Sequence, residues 1–333
     1  MRLPILLALC SLAFSSGRSA VLPSSSPRGR VLDQARSLAV TPLPPVETTM
    51  TLPCGTVNVT GLAYPSHGYS AYLGIPYAIP PVGSRRFRAP EMFEYEDQKT
   101  YDGTVLGPAC LQREGPYTSL SGMDEDCLTV NVYAPSDARG SNLPVLAWIY
   151  GGAFIEGSAA VYNATNMVYE SIAIGEPTIV VTLNYRLGIF GWGQGQEFAR
   201  NNATNLGLKD QLLGLQWIQE NVHVFGGDPR KVTVFGESAG AVSIALHYLN
   251  PVLINDTPEN NSLFRAAIFE SGAPSTFPVA SPYEIRQGVF DTLTEISNCT
   301  DSAEISPFEC LRELPSDELF AAQLALTQRP AFS

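Results

Sequence analysis

Short apolar runs alternate with amphipathic stretches along most of the chain. Four of the runs are rich in aliphatic and aromatic residues and have the length of buried strands, at residues 128–133, 143–150, 178–183 and 264–269. Residues 206–225 instead repeat apolar positions three or four residues apart, which predicts a helix. Strands that alternate with helices predict an α/β fold, with an open and mostly parallel central sheet that has helices on both faces.

The first residues of the chain lack this pattern. Residues 1–20 combine Arg2, an apolar run and a stretch of small residues in the order of a secretory signal peptide. Residues 21–53 are rich in Ser and Pro and have little apolar periodicity, so we expect a flexible leader. The folded part is therefore predicted to be a single domain, residues 54–333.

Residues 231–248 combine a short apolar strand, a tight turn and an apolar helix. The turn reads Gly236-Glu237-Ser238-Ala239-Gly240, which is a G-x-S-x-G pattern. In a strand–turn–helix context this pattern is a nucleophile elbow, which presents the serine hydroxyl at the carboxyl edge of the sheet. The alternative is a chance match, because Gly, Ser and Ala are common residues. The flanking strand and helix favour the elbow, and Ser238 is the predicted nucleophile.

A second glycine-rich turn, Gly151-Gly152-Ala153-Phe154, follows the strand that is predicted to end at Tyr150. Acyl transfer builds negative charge on the carbonyl oxygen, and backbone N–H groups in such a turn can stabilise that charge. The alternative is a simple tight turn, which the neighbouring elbow disfavours. Gly152 and Ala153, together with the residue after the nucleophile, Ala239, are therefore the predicted oxyanion-hole donors. If the backbone at Ala153 needs a positive φ, alanine carries a strain there that glycine avoids.

Composition and charge exclude several classes of partner. The chain has 333 residues and a formal net charge of −12, which disfavours nucleic acids and anionic membranes. The apolar runs are too short or too interrupted for a stable membrane anchor. No C-x-x-C or H-x-x-x-H spacing occurs, so we expect neither a metal nor an organic cofactor. A small-molecule ester is the expected substrate, and the oligomeric state is not predicted.

Cysteines and glycosylation sequons both fit a secreted protein. Loss of Cys10 with the signal peptide would leave five cysteines, of which two local pairs could form disulfides, Cys110 with Cys127 and Cys299 with Cys310. Spacing alone does not fix this connectivity, and Cys54 would be buried or paired outside the chain. Six N-x-[ST] sequons are present, and we expect fewer than six to carry glycans; they begin at Asn58, Asn163, Asn202, Asn255, Asn260 and Asn298.

The chain resembles the type-B carboxylesterase/lipase family, to which the cholinesterases belong and which has the α/β-hydrolase fold. The resemblance runs from about Cys54 to the C-terminus. It rests on blocks of sequence that occur in the family's order: LGIPYA at 73–78, EDCLTVNV at 125–132, WIYGGAF at 148–154, NYRLG at 184–188, NLGLKDQ at 205–211 and the long block at 225–240.

This resemblance implies a secreted carboxylic ester hydrolase that works through an acyl-enzyme. Ser238 would be acylated, the amides of Gly152, Ala153 and Ala239 would bind the oxyanion, and Gly151 and Glu237 would line the pocket. Both disulfides, Cys110 with Cys127 and Cys299 with Cys310, are also implied. The family usually has a third glycine at the position of Ala153, so the acyl pocket is expected to differ in shape here.

The sequence does not supply the rest of a catalytic triad. In this fold the acid and then the histidine follow the nucleophile, and the one later histidine, His247, lies about 13 Å along the elbow helix at about 1.5 Å per residue. His223 should lie at the other end of the sheet, and His67 lies far upstream. We therefore expect a C-terminally incomplete domain whose acid and histidine lie beyond Ser333. An inactive truncated fragment and a non-catalytic, cholinesterase-like binding or adhesion protein remain as alternatives.

Overall fold

The computed structural model describes residues 44–52, 55–250, 262–275, 286–300 and 304–327. The predicted signal peptide, Cys54, Asn255 and Asn260 lie outside these described residues. The strands are β1 (Pro45–Leu52), β2 (Gly55–Tyr64), β3 (Tyr69–Pro76), β4 (Thr100–Asp102), β5 (Ala109–Cys110), β6 (Met123–Asp124), β7 (Thr129–Pro135), β8 (Leu143–Ile149), β9 (Ile179–Leu183), β10 (Gly227–Glu237) and β11 (Ala266–Glu270). The α-helices are α1 (Thr165–Ala173), α2 (Gly188–Trp192), α3 (Gln196–Arg200), α4 (Leu206–Asn221), α5 (Ala239–Tyr248), α6 (Gln287–Ile296), α7 (Pro307–Glu313) and α8 (Ser316–Thr327).

The central sheet is mixed, with the strand order β1-β2-β3-β7-β9-β8-β10-β11, and β4 pairs with β2. The predicted parallel arrangement is present from β9 to β11, where β8 pairs in parallel with both β9 and β10. Four pairs in the rest of the sheet are antiparallel, namely β1 with β2, β2 with β3, β3 with β7 and β7 with β9. Strands β1, β2 and β3 follow one another through short connections, which can join antiparallel but not parallel neighbours. The α/β prediction is thus confirmed, with a sheet that is parallel from β9 to β11 and whose other half is antiparallel except for the short parallel pair of β2 and β4.

The apolar pattern located the central elements well. The four predicted strands correspond to β7, β8, β9 and β11, and each boundary agrees within two residues. The predicted helix at 206–225 consists of α4 followed by a 3-10 turn, Val222–Phe225. Helices α1, α4 and α5 pack against the sheet, and α5 contacts β8, β10 and β11. This arrangement places the turn between β10 and α5 at the carboxyl end of the parallel strands.

The predicted leader is corrected at its C-terminal end. Residues 45–52 belong to strand β1, which pairs along its whole length with β2, so the folded part begins before residue 54. Thr48 is buried, and its hydroxyl donates a hydrogen bond to the carbonyl oxygen of Val224 at 3.1 Å. A threonine-rich edge strand has little apolar signal, and its position depends on these distant partners. The rest of the predicted leader lies outside the described residues.

Two disulfides close local loops, and two buried ion pairs join segments that are farther apart in the sequence. The structure contains the disulfides between Cys110 and Cys127 and between Cys299 and Cys310, as the resemblance implied. Arg186 forms a buried ion pair with Asp210. Arg86 forms another with Glu125 and also donates to the carbonyl oxygen of Arg312, which joins the C-terminal helices to the earlier part of the chain.

Neither a membrane span nor a metal cluster is found in the part of the chain that the structure describes. No helix among these residues is both long enough and apolar enough to cross a bilayer. No group of three or more His, Cys, Asp or Glu side chains among them is arranged to hold a metal ion.

Candidate active site

Ser238 occupies a strained backbone conformation at the bend between β10 and α5. Its φ and ψ are 53° and −120°, a region that residues with a side chain rarely adopt. The bend is held on both sides, because the Ser238 N–H donates to the Glu270 carbonyl at 2.8 Å and the Val242 N–H donates to the Ser238 carbonyl at 3.0 Å. Strain that is maintained in this way at a half-buried serine is the backbone signature expected of a nucleophile elbow.

The two glycines of the G-x-S-x-G turn allow the elbow to lie close to strand β8. A Cβ atom at Gly236 would lie 2.5 Å from the carbonyl oxygen of Ile149, and one at Gly240 would lie 2.0 Å from the same oxygen. Both distances are far inside van der Waals contact, so neither position accommodates a side chain without movement of the backbone. The two glycines therefore allow the end of β10 and the start of α5 to pack closely against the end of β8.

The glycine-rich turn after β8 lies directly against the elbow. A Cβ atom at Gly151 would lie 2.5 Å from the Glu237 carbonyl oxygen and 3.0 Å from Ser238 Cβ. The backbone then turns through three positive φ values, 102° at Gly152, 54° at Ala153 and 65° at Phe154. The structure therefore brings Gly151, Glu237 and Ser238 together, and Gly152 and Ala153 follow Gly151 directly. Ala153 does adopt the left-handed conformation in which alanine is strained.

Ala239 is the first residue of α5 and is buried beside the nucleophile. The first N–H groups of a helix have no partner within the helix, and the positive end of the helix dipole lies at the same place. An N–H donor at this position can stabilise a developing oxyanion. The start of helix α5 and the turn at 151–154 both lie next to Ser238.

Tyr162 lies near Glu237 and belongs to an aromatic cluster that the sequence did not indicate. Burial raises the pKa of its phenol, and the nearby Tyr117 and Glu237 raise it further. Its ring lies parallel to that of Tyr150 with centroids 6.4 Å apart, and it packs on Trp148 at 5.1 Å. No motif surrounds Tyr162, and its packing on Trp148 and Tyr150 is visible only in the folded structure. Trp148, Tyr150 and Tyr162 form an aromatic cluster, of which Tyr162 lies near Glu237.

None of the three histidines lies with Ser238. His247 is buried, and its Nε2 lies 2.9 Å from the side-chain oxygen of Gln211. His223 is exposed in the turn that precedes β10, at the other end of that strand from Ser238. His67 is exposed and lies 2.9 Å from the Ser66 hydroxyl. The prediction that His223 lies at the other end of the sheet is confirmed.

The buried imidazole of His247 predicts a specific loss of stability in acid. Burial lowers its pKa from 6.5 to about 4. The unfolded chain therefore binds a proton that the folded chain excludes, and stability falls as the pH decreases from about 6.5 to about 4, by about 3 kcal/mol in total. Urea unfolding at pH 7.5 and 4.5 measures about 2.5 kcal/mol of this loss, because the folded-state pKa of about 4 lies below the lower pH. We expect it to be smaller by that amount in His247→Gln and unchanged in the matched surface variant His67→Gln. An equal loss in all three proteins would contradict the prediction.

The comparisons with known proteins agree with this geometry. Residues 46–333 match the sequence profile of the Carboxylesterase family. Lipase 5 of Diutina rugosa is 39% identical over 275 residues, covering 76% of this chain and 49% of the relative. The para-nitrobenzyl esterase of Bacillus subtilis is 47% identical over 217 residues, covering 63% of this chain and 41% of the relative. The secreted triacylglycerol lipase LIP1 of Gibberella zeae is 35% identical over 299 residues, covering 82% and 48%.

The solved structures give the same result. The crystal structure of Aspergillus niger EstA superimposes with a TM-score of 0.70 at 31% sequence identity, covering 84% of this chain and 50% of that one. The α/β-hydrolase expectation is confirmed by this likeness. The chain spans about half the length of the curated relatives that it matches, 49% in the case of Lipase 5.

Proposed function

Because the chain belongs to the carboxylesterase family, we propose that it carries the nucleophile and the oxyanion hole of a secreted carboxylic ester hydrolase. The observation that carries this proposal is the strained Ser238, held at the end of β10 with the glycine-rich turn at 151–154 packed against it. A strained, accessible serine between two sets of backbone amides is suited to acyl transfer and has no evident structural role.

The proposed reaction has two stages. In the first, Ser238 Oγ attacks the ester carbonyl carbon and loses its proton to a general base, while the amides of Gly152, Ala153 and Ala239 bind the oxyanion. The bond to the alcohol oxygen then breaks, and the alcohol leaves with that proton. In the second stage, water attacks the acyl-enzyme, the carboxylic acid is released and the Ser238 hydroxyl is restored. Gly151, Glu237 and Tyr162 form the surrounding pocket.

We place the general base and its orienting acid outside this chain. Each of the three histidines has a position or a partner that keeps it from Ser238: His247 with Gln211, His223 at the other end of β10, and His67 at the surface. Loss of triad members in a serine hydrolase lowers kcat by about 10⁶-fold, although oxyanion binding remains. The 333-residue chain on its own is therefore expected to turn over esters very slowly.

Two measurements test the proposal. The chain alone should hydrolyse p-nitrophenyl butyrate no faster than its Ser238→Ala variant, whereas rapid turnover abolished by that substitution would mean that the base lies within the chain. A longer product that includes a later histidine should react with a fluorophosphonate at Ser238, as peptide mass spectrometry would show. Absence of labelling at Ser238 in that product would overturn the serine mechanism and favour a non-catalytic binding or adhesion protein.

Secretion forms part of the same proposal. It is supported by the two disulfides, by the signal-like residues 1–20 and by the secreted lipase among the relatives. Three sequon asparagines are exposed and are the proposed glycan carriers, namely Asn163, Asn202 and Asn298. After expression in a secretory eukaryotic host, peptide N-glycosidase should hydrolyse the amide bond between glycan and asparagine and leave aspartate at these positions. Unmodified asparagine at all three positions in the secreted protein would contradict the proposal.

A further inference from the structure

A cavity of about 180 Å³ lies at the rim of the sheet opposite Ser238. Val224 and Phe225 line it, and both come just before β10, whereas Ser238 comes just after that strand. Strand β10 has 11 residues, which corresponds to roughly 30 Å at about 3.3 Å per residue. The cavity is therefore separate from the candidate active site.

Arg139 is the one charged residue among the described residues that line this cavity. It is exposed at the mouth, where its guanidinium donates to the backbone carbonyl of Glu47 and hydrogen-bonds the phenol of Tyr72. Among the described residues, none of the ion pairs includes Arg139. In a chain with a net charge of −12, an arginine beside a cavity and without a carboxylate partner is available to an anionic ligand.

Hydroxyl groups and apolar side chains line the rest of the cavity. Thr48, Ser70 and Tyr72 are buried and contribute hydroxyl oxygens, and the Thr48 hydroxyl donates its proton to the Val224 carbonyl. Burial raises the pKa of Tyr72, and the Arg139 charge opposes this effect only in part, so the phenol remains protonated and able to donate. Val224 and Phe225 provide apolar surface on the side of the 3-10 turn. The cavity therefore combines one cation with hydrogen-bond donors and an apolar wall.

We propose that this cavity binds a small monocarboxylate. The carboxylate would bind the Arg139 guanidinium, which its hydrogen bond to Tyr72 holds beside the cavity, and a short apolar tail would contact Val224 and Phe225. A cavity of about 150 Å³ holds one benzene molecule, so the volume here suits a short acyl chain or a single ring. A single cation matches one negative charge, whereas a phosphate dianion would lack a second cation among the described lining residues. The proposal is independent of ester hydrolysis, because the site lies at the other rim.

Ligand-observed saturation-transfer NMR on the 333-residue chain tests the proposal, with butyrate and its neutral analogue butyramide as probes. Butyrate should bind, and butyramide should bind at least tenfold more weakly because it lacks the charge. Arg139→Gln should weaken butyrate binding at least tenfold, and Tyr72→Phe should weaken it less. The matched control is Arg113→Gln, which removes another exposed arginine that does not line the cavity and should leave binding unchanged.

Several outcomes would overturn the proposal. These are equal binding of butyrate to the Arg139→Gln and Arg113→Gln variants, equal binding of butyrate and butyramide, or no binding of butyrate at roughly ten millimolar. Inorganic phosphate that displaces butyrate at a lower concentration than butyrate itself binds would show that the site prefers a different anion. Butyrate binding that persists in Ser238→Ala supports the site at this rim, whereas binding that is lost there would assign the ligand to the candidate active site.

Discussion

An Asp210→Asn variant is expected to lose about 3–5 kcal/mol of folding stability. The side chains of Arg186 and Asp210 are 3% and 0% exposed, and the closest nitrogen and oxygen lie 2.6 Å apart. The Asp210 carboxylate also accepts hydrogen bonds from the Arg186 backbone N–H at 3.0 Å and from its Nε at 2.8 Å. Removal of the negative charge would leave a guanidinium buried without compensation, which is the costly way to break an ion pair.

The matched control is the ion pair between Arg85 and Glu91. Its nitrogen–oxygen distance is also 2.6 Å, but its side chains are 40% and 57% exposed. Water and salt screen such a pair, so Glu91→Gln should leave the urea midpoint close to that of the parent protein. Urea unfolding of the two variants at pH 7.5 separates the effect of burial from that of distance. Equal shifts in the two midpoints would contradict the prediction.

The pair between Arg186 and Asp210 also supports the candidate active site. The Trp192 indole N–H donates to the Arg186 carbonyl oxygen at 3.0 Å, and the Phe154 ring packs on Trp192 with centroids 4.1 Å apart. The Gly188 N–H donates to the Phe154 carbonyl oxygen at 2.8 Å. Phe154 is the last residue of the turn that carries the proposed oxyanion donors. The ion pair is therefore connected to this turn through the Trp192 indole.

Local features of the site could be predicted from the sequence because their geometry is set by adjacent residues. The G-x-S-x-G pattern contains both the glycines that allow close packing and the serine at the bend, so Ser238 could be identified before any contact was known. The closeness of Ser238 to the turn at 151–154 could not be predicted in the same way, because it depends on which strands are neighbours in the sheet. Strands β8 and β10 pair with each other although 77 residues lie between Ile149 and Gly227.

Features that depend on distant partners were missed. Strand β1 has a weak apolar pattern, and its position depends on pairing with β2 and on the contact between Thr48 and Val224, which are 176 residues apart. Tyr162 packs on the rings of Tyr150 and Trp148, and no sequence periodicity reports such contacts. The cavity beside Arg139 likewise forms only where β1 meets the turn before β10.

Gly240→Ala is expected to destabilise the fold by about 3 kcal/mol and to displace the elbow. A Cβ atom there would lie 2.0 Å from the Ile149 carbonyl oxygen and 2.8 Å from that of Tyr150, and both are backbone atoms that cannot rotate away. The strain can be relieved only if α5 moves away from the end of β8. Because that end leads directly into Gly151, the distance between Ser238 and the proposed oxyanion donors should increase as well.

Gly288→Ala is the matched control for this substitution, because Gly240 and Gly288 are each the second residue of a ten-residue helix, α5 and α6. Nothing lies within 4 Å of a Cβ atom built at Gly288. Alanine should therefore be neutral there or should stabilise the helix by up to about 1 kcal/mol, since it restricts the unfolded chain. Thermal or urea unfolding of the two variants should consequently shift in opposite directions. If Gly240→Ala unfolded together with the parent protein, the close contact between the elbow and β8 would be wrong, and with it the packing that aligns Ser238 with the turn at 151–154.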